Sequence, residues 1–332
     1  MAEPKILLVR LGSLGDIVHA LPAAGALRDT FPSARIDWLV DARWRRLLDG
    51  NPDLSEVICL KGSARGIGRT VRGLRQAKYT CAVDFQALYK SALLAFASGA
   101  SRRIGFSSGY AREGLAARLY TEQLNPQGAH KVDHNLTLVR GAGAQPKTPR
   151  FPLAVRSQDE EAVAAALGGS QAAKYFVLNP GGGWRSKHWP AERYGALCGA
   201  LTARYGWRGV VSIGPGEEQL AAEVIATAEP PPATLSLPLG PLMALLRGAQ
   251  FVVSADTGPL HLASALGAPV VGLYGPTDPA RNGPYAAEDI VVRNPRASET
   301  TYRRGQSYSS AMLSITVPQV VEAVERRLRQ RT

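Results

Sequence analysis

The residues best suited to chemistry stand directly after short apolar runs, where a strand would hand over to a helix. The first such junction is Arg10-Leu11-Gly12-Ser13-Leu14-Gly15-Asp16-Ile17-Val18-His19. Glycines let a backbone come close to a ligand, and an acidic residue at a helix start is stabilised by the helix dipole. Asp16 is therefore either a helix cap or a general base for a hydroxyl. A dinucleotide-binding reading of the turn fails on detail. The G-x-G-x-x-G spacing is missing, Asp16 would face the pyrophosphate, and no Walker-type lysine follows.

A second junction, Asn179-Pro180-Gly181-Gly182-Gly183-Trp184-Arg185-Ser186-Lys187-His188-Trp189-Pro190, offers backbone N–H groups and a mobile lysine to an anion, or is simply a flexible loop. Pro190 opens the helix that follows. Gly214-Pro215-Gly216-Glu217-Glu218 is the third; its carboxylates suit the paired hydroxyls of a ribose, or are surface acids of a helix start. The fourth, Ser254-Ala255-Asp256-Thr257-Gly258-Pro259-Leu260-His261, would aim first-turn N–H groups at a pyrophosphate, with His261 further along the same helix. Asp256 there is an N-cap, a partner for sugar hydroxyls, or both.

Such junctions need a scaffold of strands alternating with helices, and the pattern predicts one. Strands are expected at Lys5–Arg10, Ile36–Val40, Val57–Leu60 and Cys81–Phe85, then at Tyr175–Leu178, Gly209–Ile213, Phe251–Ser254 and Pro269–Leu273. A Pro-rich stretch around residues 143–158 reads as a linker between two α/β sets. The expected organisation is a doubly wound, Rossmann-like domain over 1–155, a second over 156–316, and an amphipathic C-terminal helix over 317–332. Two lobes imply a cleft between them, and ligands of such sheets bind at the carboxyl ends of the strands.

Composition agrees with a folded enzyme: 332 residues, 45% hydrophobic and 20% charged. Cys59, Cys81 and Cys198 lie far apart beside apolar runs, as reduced thiols do, and no Cys-rich metal signature is present. The N-terminus lacks a signal-peptide pattern and no apolar run reaches membrane-spanning length, so a cytoplasmic location is expected. Residues 1–150 hold 22 Lys and Arg against 12 Asp and Glu, and so carry most of the net charge of +12. That excess suits an anionic partner or membrane face, or is a solubilising surface. Nucleic acid is a poor partner, because no aromatic-interleaved basic stretch or known module is present.

Taken together, Gly15-Asp16-Ile17-Val18-His19-Ala20-Leu21-Pro22, Asp84-Phe85-Gln86-Ala87-Leu88-Tyr89-Lys90-Ser91, Lys187-His188-Trp189-Pro190, Ser254-Ala255-Asp256-Thr257-Gly258 with His261, and Tyr274-Gly275-Pro276-Thr277-Asp278-Pro279 resemble the ADP-heptose:lipopolysaccharide heptosyltransferases of the GT-B fold, glycosyltransferase family 9, and most closely their heptosyltransferase I members. The resemblance implies an inverting transfer of heptose from ADP-heptose to Kdo of lipid A-Kdo, in lipopolysaccharide core synthesis. It implies no metal or other cofactor, and a monomer held peripherally at the cytoplasmic face of the inner membrane. By the same resemblance Asp16 is the general base. Lys187 and the Thr257-Gly258 turn bind the diphosphate, Asp256 binds the heptose, and one of Glu217 or Glu218 holds the ribose. Gly182, Gly183, Leu237 and His261 complete the donor site, while Ser13, Gly15, Lys90, Arg112, His130 and His134 form the acceptor site.

Some positions depart from the family pattern. His134 stands where an arginine is usual, a basic cluster after the third strand is matched only loosely by Lys61, Arg65 and Arg69, and the Gly181-Gly182-Gly183 loop replaces hydroxyl-bearing residues. The acceptor is therefore the least specified element. A heptosyltransferase II or III, a transferase using another nucleotide sugar, and a nonenzymatic nucleotide-sugar-binding module are the alternatives; only the last has no need of a carboxylate at Asp16.

Overall fold

The structure is a computed structural model that describes residues 3–169, 174–294, 300–301 and 305–330. It divides into two compact units, Met1–Ala154 and Val155–Thr332. The first contains β1 (Lys5–Val9), α1 (Leu14–Val18), α2 (Leu21–Thr30), β2 (Arg35–Asp41), β3 (Glu56–Leu60), α3 (Ala64–Ala77), β4 (Cys81–Asp84), α4 (Tyr89–Ala97), β5 (Arg102–Phe106), β6 (Glu122–Leu124) and α5 (Lys131–Gly141). Its strands are all parallel, in the order β3-β2-β1-β4-β5-β6.

The second unit contains α6 (Ser157–Ala166), β7 (Tyr175–Asn179), α7 (Ala191–Tyr205), β8 (Arg208–Ser212), α8 (Glu218–Ile225), β9 (Ala233–Leu235), α9 (Leu239–Gly248), β10 (Val252–Ala255), α10 (Gly258–Ala265), β11 (Val270–Tyr274), α11 (Pro279–Asn282), β12 (Ile290–Arg293), α12 (Ser310–Leu313) and α13 (Val317–Arg329). Its order, β12-β11-β10-β7-β8-β9, repeats the connectivity of the first sheet. In each unit the winding reverses once, between β1 and β4 and between β7 and β10. Right-handed crossovers then send the helices to opposite faces and open a crevice at the carboxyl ends of those two strands.

A parallel sheet covered on both faces needs strands that are apolar throughout. Ile6–Val9, Val270–Tyr274 and, Ser254 apart, Val252–Ala255 satisfy this, being buried along their whole length. The sequence pattern predicts eight of the strands and misses β5, β6, β9 and β12. β5 begins with two arginines, β6 and β9 have three residues each, and β12 is at an edge, where short and charged strands guard against further pairing. Arg102 and Glu122 pair across β5 and β6 at 2.7 Å.

In the second unit Phe176 stacks on Phe251 at 5.0 Å. Trp189, fully buried, meets Tyr194 edge-on and donates to the carbonyl of Ile315 at 2.9 Å, fixing the loop after β7. The last helix, α13, packs on α7, β11 and β12 as part of this unit, and its Arg327 meets Asp289 at 3.0 Å. The Pro-rich stretch is not slack: Arg150 within it bonds Asp53 at 2.7 Å and Asp29 at 2.6 Å.

At the end of β4, Asp84 is fully buried and accepts from Ser91 Oγ and Tyr120 Oη, both at 2.7 Å, and from the backbone N–H of Gln86 at 2.8 Å. Burial raises its pKa despite these donors. Gly105 makes room for the Tyr120 ring, since a Cβ there would lie 2.2 Å from it. Tyr120→Phe should therefore lower stability by about 1–3 kcal/mol by removing a donor from a buried carboxylate. The check is a lower urea midpoint with an unchanged m-value.

Candidate functional site

In the first unit the chemistry gathers where β1 ends. Ser13 is the N-cap of α1 and Asp16 its N3 residue, so Asp16 is not itself the N-cap. Its Oδ2 accepts from Ser13 Oγ at 2.9 Å and pairs with Arg10 Nη2 at 2.7 Å, while Oδ1 meets Lys131 Nζ at 2.9 Å. Arg10 is aimed by a second bond, from Nη1 to the carbonyl of Phe85 at 2.6 Å, which ties the group to the adjoining strand β4. Burial alone would raise the pKa of Asp16, but Arg10 and Lys131 outweigh it and hold the carboxyl well below its ordinary value. Gly15 is buried beneath this turn.

The other residues assigned to the acceptor fall into two groups. His130 is the N-cap of α5, accepting from Val132 N at 3.1 Å through Nδ1, and its ring meets that of His19 edge-on at 5.1 Å. It thus stands beside Lys131 and the Asp16 turn. His134 lies one turn further along α5, with Nε2 3.2 Å from the carbonyl of Gly128. Lys90 and Arg112 are exposed, and they flank the bond by which Glu113 accepts from the backbone N–H of Tyr89 at 2.6 Å.

In the second unit the loops after β7, β8 and β10 converge. Lys187 is not the mobile cation that the sequence suggests, because Nζ bonds Asp256 Oδ2 at 2.6 Å and the Asp256 carbonyl at 3.2 Å. The ammonium also lies 4.5 Å from the Trp184 ring. Asp256 is not an N-cap either; that position belongs to Thr257, and α10 begins at Gly258. Its carboxylate also meets His261 Nε2 at 3.2 Å and Asn282 Nδ2 at 2.8 Å. Burial pushes this carboxyl up, and His261 and Lys187 more than reverse that, leaving it held down.

Glu217 and Glu218, adjacent in sequence, part company. Glu217 accepts from Gly182 N at 3.0 Å and from Gly214 N at 2.8 Å, joining two glycine turns, whereas exposed Glu218 reaches only Gly216 N at 3.3 Å. The N–H of Gly182 is thus occupied by a carboxylate rather than presented to an anion. A Cβ at Gly181 would lie 2.0 Å from Glu217 Oε2, and one at Gly182 2.6 Å from Thr257 Cγ2, so this approach requires both glycines. Gly183 has open space around it. Leu237 is half-buried on the loop ahead of α9.

Sequence reasoning misses Lys131, Asn282 and the role of Arg10. Lys131 gives a faint signal, since a cation at the first residue of a helix opposes the dipole and needs another reason to be there. Asn282 gives none. It is set by a backbone bond, its carbonyl accepting from buried Tyr274 Oη at 2.7 Å.

A family model described as glycosyltransferase family 9 (heptosyltransferase) matches residues 67–312. Lipopolysaccharide heptosyltransferase 1 of Pseudomonas aeruginosa is 31% identical over 301 residues, which cover 86% of this chain and 82% of that protein. Its namesake from Escherichia coli K12 is 30% identical over 310 residues, covering 88% and 94%. Among solved structures, E. coli heptosyltransferase WaaC with ADP aligns with a TM-score of 0.77 at 26% identity, over 97% of this chain and 99% of the other. E. coli ADP-heptose lps heptosyltransferase II shares the fold, with a TM-score of 0.82 at 24% identity over 98% and 99%.

A carboxylate whose folded pKa is depressed adds stability that is complete above the unfolded value of about 3.9 and is lost as pH falls through the folded value. The stability difference between wild type and Asp256→Asn should therefore be constant above about pH 5 and shrink below about pH 4. Urea unfolding at a series of pH values measures it; a difference that grows on acidification would show that the ion pair does not hold Asp256 ionised.

Proposed function

The chain belongs to glycosyltransferase family 9, the heptosyltransferases, and from that premise we propose that it transfers L-glycero-D-manno-heptose from ADP-heptose to a Kdo sugar of lipid A-Kdo. The fold is GT-B. The observation that carries the reading is Asp16, a carboxylate kept ionised by two cations at the carboxyl end of β1.

In the proposed reaction an acceptor hydroxyl attacks the anomeric carbon of heptose, the bond from that carbon to the diphosphate oxygen breaks, and the configuration inverts. The hydroxyl proton passes to Asp16. A carboxylate with a depressed pKa is a weak base in the ground state. The attacking oxygen becomes strongly acidic as it bonds to the oxocarbenium-like carbon, so a weak base suffices. Arg10 and Lys131 fix both carboxylate oxygens and so set their direction; Ser13, Gly15, His130 and His134 border the acceptor, with Lys90 and Arg112 meeting its anionic groups.

The leaving ADP needs positive charge. Lys187 has three N–H donors, of which Asp256 takes two, and the N–H groups of the N-cap Thr257 and of Gly258, the first residue of α10, would supply more. Asp256, steadied by His261 and Asn282, would accept heptose hydroxyls in this reading. Glu217, joining Gly182 to Gly214, is the better of the two glutamates for the ribose, and Gly183 and Leu237 border the nucleotide. The acceptor is anchored in lipid, which puts the protein at the cytoplasmic face of the inner membrane. No described helix is long and apolar enough to cross a membrane, so that association is peripheral in this reading.

Incubation with ADP-heptose, and separately with UDP- and GDP-sugars, using lipid A-Kdo as acceptor, tests the reading by product mass; transfer from another donor alone would refute it. Asp16→Asn keeps the shape and a capping oxygen but loses the base. It should fold and bind ADP normally while turnover falls by at least ~10²-fold, and near-normal turnover removes Asp16 from the mechanism. Lys187→Ala should weaken ADP binding as well as turnover, so an unchanged ADP affinity by calorimetry would show that Lys187 does not hold the diphosphate.

A further inference from the structure

Five of the seven exposed large hydrophobic residues among those described lie on two adjoining pieces of the first unit. Tyr89, Leu93 and Phe96 recur at i, i+4 and i+7 of α4 and so share one face. Tyr110 and Leu115 lie between β5 and β6, and the five are 46–60% exposed. Ala116 and Ala117 pack on Ala92 of α4, and Glu113 holds the start of that helix, so the two pieces form one body. The opposite face of α4 buries Ser91, Ala92, Leu94 and Ala95.

The rim of this patch is predominantly cationic. The Arg103 guanidinium lies 5.3 Å from the Phe96 ring, and Lys90, Arg112 and Arg118 stand on the same two pieces. Helix α3 packs against α4, with Arg75 bonded to the Ala97 carbonyl at 3.1 Å, and it carries exposed Arg65, Arg69, Arg72 and Arg75 with no acid. Residues 64–119 hold ten Lys and Arg but two acids, of which Asp84 is buried and Glu113 receives the Tyr89 N–H.

We propose that this face of α4, with the segment around Leu115, is a membrane-docking surface for an anionic bilayer. Its apolar side chains would enter the boundary of headgroups and acyl chains, to roughly 5–10 Å, while the arginines meet lipid phosphates. A second copy of the chain fits poorly, because two predominantly cationic rims would meet, and Glu113, the exposed acid of residues 64–119, already accepts from the Tyr89 N–H. The inference rests on the heptosyltransferase reading for its purpose. Lys90 and Arg112, assigned to the acceptor, stand on the rim, so the glycolipid could offer its sugars while its acyl chains stay in the membrane.

The test uses the full chain carrying Leu93→Gln, Phe96→Gln and Leu115→Gln together, with vesicles of phosphatidylglycerol and phosphatidylethanolamine. Wild type should bind them, more weakly as salt rises. The triple variant should lose at least ~10-fold in partition, with an unchanged unfolding midpoint. It should keep kcat/KM on deacylated, water-soluble acceptor and show a raised KM for acceptor embedded in vesicles. Should the triple variant not fold, Phe96→Trp alone serves: the emission of the introduced indole should shift to the blue on vesicles and be quenched by bromolipid. Equal partition of wild type and variant, no vesicle binding by wild type at low salt, or an indole emission that vesicles leave unmoved would overturn the proposal, as would a wild-type dimer that the variant turns into monomers. Loss of transfer to both acceptors by wild type, with vesicle binding intact, would overturn the function instead and leave the surface standing.

Discussion

Everything chemical in this chain depends on one constraint of parallel sheets: the strands all end on the same side, and where the winding reverses, two neighbouring strand ends have no connection laid across them. In the first unit those strands are β1 and β4, and the Asp16 turn and the Asp84 network stand at their ends, joined by Arg10 reaching the Phe85 carbonyl. In the second they are β7 and β10, and the glycine loop, Lys187 and Asp256 stand there. The same topology used twice gives two crevices of one geometry, lined by different side chains.

What separates the carboxylates at these sites is the charge of their partners. Asp84 receives several hydrogen bonds from neutral donors, yet burial still raises its pKa. Asp16 is half-buried against Arg10 and Lys131, Asp256 is buried against Lys187 and His261, and both are held down. The neutral donors lower the Asp84 pKa but not enough to offset burial, whereas at Asp16 and Asp256 hydrogen bonds and neighbouring cations together more than offset it. Asp84 therefore serves as a neutral-partnered anchor for the β4–α4 turn, whereas Asp16 and Asp256 each tie a cation to a strand end.

The sequence shows the fold wherever a strand is buried on both faces, as with Leu7, Leu8 and Val9 of β1 or Val252 and Val253 of β10, because such a strand is a continuous apolar run. It hides β5, whose two leading arginines are occupied by Glu122 and by carbonyls, and β6 and β9, too short to show a period. Within the site, glycine and aspartate after a strand are legible because both follow local rules. Lys131 is not, since 115 residues separate it from Asp16 and no local rule connects them. The choice between Glu217 and Glu218 turns on which of two neighbours faces the Gly182 loop at the start of α8, a distinction that composition does not contain.

The basic excess of the first half is equally divided in kind, though not legibly so in sequence. Part of it is spent inside the unit: Arg10 and Lys131 on Asp16, Arg150 on Asp53 and Asp29, Arg102 on Glu122. Those charges neutralise acids and project little field. The arginines of α3 have no acid on their own helix, and they stand beside the apolar face of α4. A long-range field arises only from charge left uncompensated at the surface. The net charge of the half-chain is therefore concentrated on the side where α3 and α4 pack together, and that is where an anionic partner would be drawn first.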